Sequence, residues 1–451
     1  MNESLKTRPM FSNRALVSLS VPIVIDAILA IFTGMVDTAM VSSAGEAAVS
    51  AISLIDQLFL LFVTVFSAIA SGGVVVTAQY IGSGDLKKAR SSANQLLYAS
   101  TFLALFITVA AIGFIPQIIR LVYGQLEDAV FENAKAYFFY VLLGMPFLAV
   151  ASACTALLRT MQRSRLALFL AIGNNIINIC GNAALIFGFK MGAAGAAIST
   201  TVSRMIWAVV AMYFMHKRVL PVYFENLLKF RLDFDAMRRV LKVGTANGLE
   251  SGLFQVGKLL VASLISSFGT VSIAAYSAAS TLSNIGWTTV GSFGTVLLTV
   301  VGQCIGAGKP EQAKYYAKKF IVLGHILVVV LFGSVFLLRN QLVRLFNFGP
   351  EALELSAYYT GVVALLTIGS LYGSAFLPVA AFRSAGDVRY AVVMAVSTMF
   401  IFRVGLSYLL NAVTDLGLMC VWLGMYADWT CRTILNTFRF RSGKWLTKKL
   451  I

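Results

Sequence analysis

Apolar residues run along this chain in long blocks, separated by short polar stretches rich in Lys and Arg. Blocks of this length predict helices that cross a bilayer, since a spanning helix needs about 20 mostly apolar residues. Spans are expected at about 15–41, 48–80, 92–118, 134–158, 166–189 and 193–216. After a basic connection they are expected at about 240–267, 273–304, 315–338, 355–381, 390–411 and 417–438. The fold class is therefore an all-α polytopic membrane protein with twelve transmembrane helices. Composition agrees: of 451 residues 59% are hydrophobic and only 12% charged, with a mean hydropathy of +0.83.

The net charge of +17 would suit nucleic acid, but the basic residues sit in the loops. They gather after even-numbered spans: Lys87, Lys88 and Arg90; Arg159, Arg163 and Arg165; Lys309, Lys314, Lys318 and Lys319; Arg383 and Arg389. The central connection adds Lys217, Arg218, Lys229, Arg231, Arg238, Arg239 and Lys242, and the tail Arg439, Arg441, Lys444, Lys448 and Lys449. Loops after odd spans carry acids such as Glu46, Glu127, Asp128, Glu351 and Glu354. Positive charge stays on the cytoplasmic side, so both termini are expected there. The first apolar run is too long for a signal peptide. Cys154, Cys180, Cys304, Cys420 and Cys431 lie in apolar segments at irregular spacing and read as packing residues.

The two halves repeat. Gln79-Tyr-Ile-Gly-Ser-Gly-Asp85 returns 224 residues later as Gln303-Cys-Ile-Gly-Ala-Gly-Lys309. The same offset takes Ser42-Ser43-Ala44-Gly45 to Ser266-Ser267-Phe268-Gly269, Ala89 to Ala313, Arg159 to Arg383 and Asp26 to Glu250. Six spans precede the central loop, so the repeat is parallel, with a pseudo-two-fold axis along the membrane normal, as in rocking secondary transporters. The expected division is a first lobe over 1–218, a connecting loop over 219–239 and a second lobe over 240–451. The Gly82/Gly84 and Gly306/Gly308 turns read as helix ends, because no strand precedes them as a phosphate loop requires.

Polar residues inside the spans carry the chemistry. Asp26, Ala30, Thr33 and Asp37 fall on one stripe of the first helix. A carboxylate in mid-span costs roughly 3 kcal/mol on insertion scales and so marks a protein interior or a wet cavity. Asp26 and its repeat mate Glu250 are expected at similar depth, where they would make a central cavity acidic and supply a second titrating group. Lys258, eight residues after Glu250, is a plausible counter-charge; the competing reading is that Glu250 and Lys258 pair with other spans. Asp428 and Arg432, four apart, are expected to neutralise each other. Asp56, Arg204 and Arg403 also lie in spans but cannot be oriented from sequence. Gln57, Ser283 and Asn284 are candidate substrate contacts, and His325 reads as a packed helix residue. With two histidines, His216 and His325, no nucleophile–base or metal constellation is visible, which argues against an enzyme.

Five pieces, in order along the chain, resemble the multidrug and toxic compound extrusion (MATE) transporters. They are Leu19-Ser-Val-Pro22, Gly34-Met-Val-Asp-Thr-Ala-Met40, Gln79–Gly84 with its repeat copy, Gly192-Ala-Ala-Gly-Ala-Ala-Ile-Ser-Thr200, and Arg439-Phe-Arg-Ser-Gly-Lys-Trp445. The resemblance spans essentially the whole chain. It implies two six-helix lobes around a cavity and export of organic, often cationic compounds against inward protons or sodium ions. It also implies a monomer in a bacterial inner membrane, with no cofactor. The seventh-span Glu250 stands earlier than the NorM-like pattern puts its glutamate, so the chain looks closer to the DinF-like branch.

The same resemblance assigns a first-lobe cation site to Asp37, Asn178, Asn182 and Thr200, with Thr33 one turn before Asp37. A carboxylate ringed by amide and hydroxyl oxygens suits a proton or a sodium ion, the latter held by Asp37, Asn178 and Asn182; hydrogen-bond glue between helices is the alternative for the two asparagines. Many DinF-like members have a carboxylate where Asn182 stands, which weakens a two-carboxylate proton relay here. Pro22 matches a proline proposed as a bending point in some members; the alternative is a helix-start proline without a dynamic role. A lipid-linked-precursor flippase of the same superfamily is the other function considered. It is disfavoured by Asp26, Asp37 and Glu250 against Lys258, since flippases tend to have cationic cavities.

Overall fold

The structure, a computed structural model, describes residues 9–43, 45–225, 232–346, 348–448 and 450–451. The described residues form helices and no strand. They group into two compact units, one running Asn13–Gly248 and the other holding residues 9–12 with Leu249–Ile451. The basic residues Lys229, Arg231 and Lys449, and Ala44 of the repeat motif, lie outside the described residues.

In the first unit the helices are α1 (Asn13–Ser42), α2 (Glu46–Ser83), α3 (Leu86–Gly113), α4 (Ile115–Tyr123), α5 (Asp128–Leu143), α6 (Met145–Thr160), α7 (Ser164–Asn182) and α8 (Gly192–Met215). The chain continues through α9 (Phe234–Ser266), α10 (Thr270–Gly306), α11 (Pro310–Val343), α12 (Pro350–Gly369), α13 (Tyr372–Ser384), α14 (Val388–Thr398), α15 (Ser407–Val413) and α16 (Met419–Ser442). Ten helices are long and apolar enough to cross a membrane, or eleven when the bent pair α5–α6 counts as one span. The twelfth expected span is α16, which is long enough but carries Asp428, Arg432, Arg439 and Arg441.

The repeated glycine motif makes the same turn twice. Gly84, with φ 81°, ends α2, and the Asp85 side chain then accepts the Lys88 amide at 3.0 Å to start α3. In the second copy α10 ends at Gly306, Gly308 takes φ 67°, and Pro310 opens α11. Left-handed backbone at these positions suits glycine, which has no Cβ to clash. Pro at the opening of a helix sacrifices no hydrogen bond.

Several expected spans are broken. The third becomes α3 and α4, interrupted at Phe114 just before Pro116. The fourth bends by 44° where Gly144-Met-Pro146 joins α5 to α6. The tenth is split at Ser370-Leu371, and Leu371 adopts φ 52° without being glycine. The fifth and eleventh contain π-helical turns at Ala183–Gly188 and Met399–Leu406. Such turns are uncommon and concentrate at functional sites.

In the first unit α2 is the central helix, packing on α3, α5 and α6, while α7 lies between α1 and α8. In the second, α10 packs on α11, α12 and α13, and α16 lies against α13. The tail folds back there: Trp445 is fully buried, stacks on Phe440 at 5.5 Å and lies 5.7 Å from Phe382. Residues 9–12 belong to this unit because Phe11 is buried against Tyr316. The Tyr316 hydroxyl accepts the Phe11 amide and donates to its carbonyl, both at 2.9 Å, and the Met10 amide donates to Gln312 Oε1 at 2.9 Å. Outward-facing positions carry large apolar side chains such as Phe32, Phe106, Val109, Leu259 and Val329, a surface that hydrocarbon tolerates and water does not.

The boundary between the two compact units lies inside α9, between Gly248 and Leu249. The reason is close backbone packing of the first half of α9 on α2. A Cβ at Gly72 would strike the Val240 carbonyl and the Gly244 backbone. The Asn247 amide also donates to Ser71 Oγ at 2.6 Å, and Arg239 donates to the Tyr80 hydroxyl.

Candidate functional site

Asp37 on α1 meets α7 and α8 at one place. Asn178 and Asn182, four apart, share a face of α7, and both are almost fully buried. The Asn182 amide nitrogen donates to Asp37 Oδ1 at 2.9 Å. With its nitrogen turned to Asp37, Asn178 donates to both carboxylate oxygens at 3.1 and 3.3 Å, and its oxygen accepts from Thr200 Oγ1 at 3.1 Å. The opposite orientation would set an amide oxygen against a carboxylate oxygen. Ser199 Oγ donates to the Asn178 carbonyl at 2.8 Å, and Gly181 lies close against Ser199, so the two helices approach tightly here. The π turn starts at Ala183, immediately after Asn182. The four residues that the sequence resemblance assigned to a cation site therefore converge. Thr33 is on the same helix as Asp37 but makes no side-chain hydrogen bond among the described residues.

A second carboxylate joins this centre. Tyr137 on α5 donates to Asp56 Oδ1 at 2.9 Å. Asp56 and Asp37 lie within electrostatic range of each other, and the buried Arg204 guanidinium acts on both. Arg204 sits over the Phe59 ring at 4.6 Å, and its Nη1 has no hydrogen-bond partner among the described residues. Tyr137 gave no signal in the sequence. Asp56 and Arg204 did, as charges within apolar spans, but their direction did not.

Asp26 and Glu250 are not free acids. Arg159 donates to Asp26, and Arg383 donates to Glu250, each pair 133 residues apart. This corrects the acidic-cavity expectation: each carboxylate is neutralised by an arginine at the end of another helix. Lys258 is not the partner of Glu250. It lies within electrostatic range of Arg403 and makes no ion pair among the described residues.

In the second unit Asp428 Oδ1 accepts from Arg432 Nε at 2.7 Å, the expected pairing, and Arg432 also donates to the Ala395 carbonyl at 2.8 Å. Arg403, on the π turn, approaches Asp428 Oδ2 only to 3.7 Å. His325 Nε2 is 2.8 Å from Ser374 Oγ, as a packed residue would be. Gln57 and Asn284 are exposed; Asn284 accepts from Thr288 at 3.4 Å. Pro22 is the tenth residue of α1 and buried, so it is an interior proline and not a helix-start one.

No group of three or more His, Cys, Asp or Glu side chains suited to a metal ion occurs among the described residues. At Asp37 both asparagines present N–H groups to the carboxylate, so an oxygen cage for sodium would require both amides to turn over.

The family model MatE matches residues 22–184 and then residues 248–409, once in each half of the repeat. The chain belongs to the MatE family. MATE proteins are transporters and not enzymes, and this one is a multi-pass membrane protein of the multidrug-efflux family. Among its relatives, the transporter YisQ of Bacillus subtilis is 28% identical over 452 residues, covering 98% of this chain and 97% of that protein. The Thermotoga maritima protein named "Probable multidrug resistance protein NorM" is 26% identical over 442 residues, covering 96% and 93%. A solved outward-facing structure of a multidrug resistance MATE family transporter superposes with a TM-score of 0.90 at 18% identity, covering 98% of this chain and 99% of that one. The fold is therefore the MATE fold, and the twelve-helix, two-lobe layout agrees with it.

Proposed function

We propose that this MATE protein is a cation-coupled antiporter that exports amphipathic, cationic organic compounds by alternating access. Asp37 is the group that binds the inward-moving proton or sodium ion. The observation that carries this reading is that Asn178 and Asn182 both donate to Asp37, with Thr200 bonded behind Asn178. A carboxylate whose hydrogen-bond donors are neutral amides changes the net charge of its surroundings when a cation arrives. Both donors are on α7, with Thr200 of α8 behind Asn178, so α1 can exchange its hold on α7 for a bound ion. With Asp56 beside it and one arginine opposite, the centre holds two acids against one base, which favours a cationic substrate. In this reading the protein works as a monomer in a bacterial inner membrane with both termini in the cytoplasm. Relatives named as multidrug resistance proteins support the organic substrate class.

The test is ethidium efflux from proteoliposomes under a proton gradient or a sodium gradient, each imposed alone, for the parent and Asp37→Asn. One gradient should drive efflux in the parent, and Asp37→Asn should lose it while keeping its thermal stability. Undiminished gradient-driven efflux in Asp37→Asn would remove Asp37 from the coupling role. No efflux under either gradient would remove the antiport reading.

A further inference from the structure

The two halves share a fold and the same arginine–carboxylate pairs, yet their polar centres differ in sign. At the offset of 224 residues, Asp37, Asn178, Asn182 and Thr200 correspond to Val261, Phe402, Leu406 and Gly424, so the second half has no copy of the first site. In its place stand Lys258 and Arg403, whose first-half counterparts are Gly34 and Ile179. Among the described residues of the second unit, this centre holds three cations, Lys258, Arg403 and Arg432, and one acid, Asp428.

The charges do not cancel locally. Arg432 takes Asp428 Oδ1 at 2.7 Å and completes its contacts on a backbone carbonyl. Arg403 is the remainder. It is only 6% exposed, and its Nε lies 3.7 Å from Asp428 Oδ2, beyond hydrogen-bond reach, so that both atoms are buried without a hydrogen bond among the described residues. A guanidinium keeps its charge in any protein environment and presents five donors in a plane, which makes a buried one without an acceptor costly. The backbone brings Lys258 to the same place, because Gly257 packs directly on Met399 at the start of the π turn that carries Arg403. Tyr408, just beyond that turn, donates to the Leu260 carbonyl at 3.0 Å and ties it to α9.

Aromatic faces surround the cations. Arg403 lies 5.3 Å from the Phe254 ring and 5.8 Å from that of Trp429. Trp287 stacks on Tyr372 at 6.4 Å and meets Trp429 edge-on at 5.6 Å, and its buried indole N–H has no hydrogen-bond partner among the described residues. A guanidinium, an ammonium and an indole N–H are all donors, and flat rings border them. The group that would satisfy this set is an anion carried on an aromatic ring.

We infer that the second unit of this MATE protein holds a binding site for an aromatic carboxylate, with Arg403 as the main anion contact, Lys258 as the accessible charge and Phe254, Trp287 and Trp429 as the ring contacts. The site takes organic anions, or the anionic end of a zwitterion, and extends the substrate range beyond the cations of the antiport reading. It does not rest on that reading, because binding needs no gradient.

The test is equilibrium binding to the full-length protein in nanodiscs of zwitterionic lipid, followed by tryptophan fluorescence, with benzoate, benzamide and benzylammonium as size-matched probes. Benzoate should bind about 10-fold or more tighter than benzamide, the margin of a charge-assisted hydrogen bond over a neutral one. Arg403→Gln should weaken benzoate by about 10- to 100-fold and leave benzamide nearly unchanged. Lys258→Gln alters an exposed side chain and leaves the buried Arg403, Asp428 and Arg432 in place; it should weaken benzoate several-fold, more at low salt than at high salt. Benzylammonium binding as tightly as benzoate would overturn the proposal. So would benzoate affinity unchanged in Lys258→Gln and in a folded Arg403→Gln.

Discussion

Arg159 holds Asp26 across 133 residues of chain, and Arg383 holds Glu250 across the same interval. All four side chains are largely buried, with 15–23% of their surface exposed. Removing one partner leaves a charge in a poorly solvated place, so Asp26→Asn and Glu250→Gln should each destabilise by roughly 1–3 kcal/mol. The double variant Asp26→Asn with Arg159→Gln should lose less than the sum of its singles, by roughly 0.5–3 kcal/mol. Thermal unfolding in detergent measures the cycle, and strictly additive singles would show that the pair is not coupled.

Asn182 supplies the closest contact to Asp37, at 2.9 Å. Hydrogen bonds to a charged group contribute about 1.5–3 kcal/mol, so Asn182→Leu should slow gradient-driven efflux by about 10-fold or more. Thr200→Val removes only the donor behind Asn178 and should cost a few-fold. Initial efflux rates under the driving gradient rank the two, and the reverse order would contradict the arrangement around the carboxylate.

Glycine is needed where backbones meet. At Gly72 an added methyl would strike the backbone of Val240 and Gly244, which cannot rotate away as a side chain can. Gly72→Ala should destabilise by about 1–3 kcal/mol through overpacking. Gly333, inside α11, has nothing within 4 Å of a built Cβ, and Gly333→Ala should stabilise by roughly 0.5–1 kcal/mol through helix propensity. Unfolding midpoints of the two variants should move in opposite directions.

The start of α9 is tied down by Asp233, whose Oδ1 accepts the Ala236 amide at 3.0 Å while Ser91 Oγ donates to Oδ2 at 2.7 Å. These bonds hold the carboxyl below its usual range, with the amide of Ala236 the main cause. A depressed value means that the stabilisation is complete above the unfolded value of about 3.9 and is lost as pH falls through the lower folded one. Hydrogen exchange at 232–240 should therefore be flat from neutral pH down to about 4 and deprotect below that. Asp233→Ala should show the deprotected pattern at every pH, at a cost of roughly 1 kcal/mol for the lost cap. Equal protection in the parent and Asp233→Ala would argue against the cap.

The spans, the repeat and the cluster around Asp37 were legible because each rests on residue type and spacing. Asp428 and Arg432 were legible for the same reason, being one helical turn apart. Partners brought in by tertiary packing were not. Lys258 shares a helix with Glu250, but eight residues put about 12 Å of helix axis between them, and the partner of Glu250 is Arg383 on α13. The repeat contained the missing clue: the offset that maps Asp26 to Glu250 also maps Arg159 to Arg383. Breaks such as the one at Leu371 left no mark, since it has φ 52° without a glycine to announce it.

The repeated arginine–carboxylate pin also bears on how this chain was inherited. If the halves arose by duplication, an ancestor of half the length would have carried one pin, and both copies would have kept its spacing while the polar centre diverged. A hybrid chain made of two first halves would keep both pins and gain a second Asp37, but would have neither Arg403 nor Lys258. Specialisation of one copy would let a symmetric scaffold handle two opposite charges.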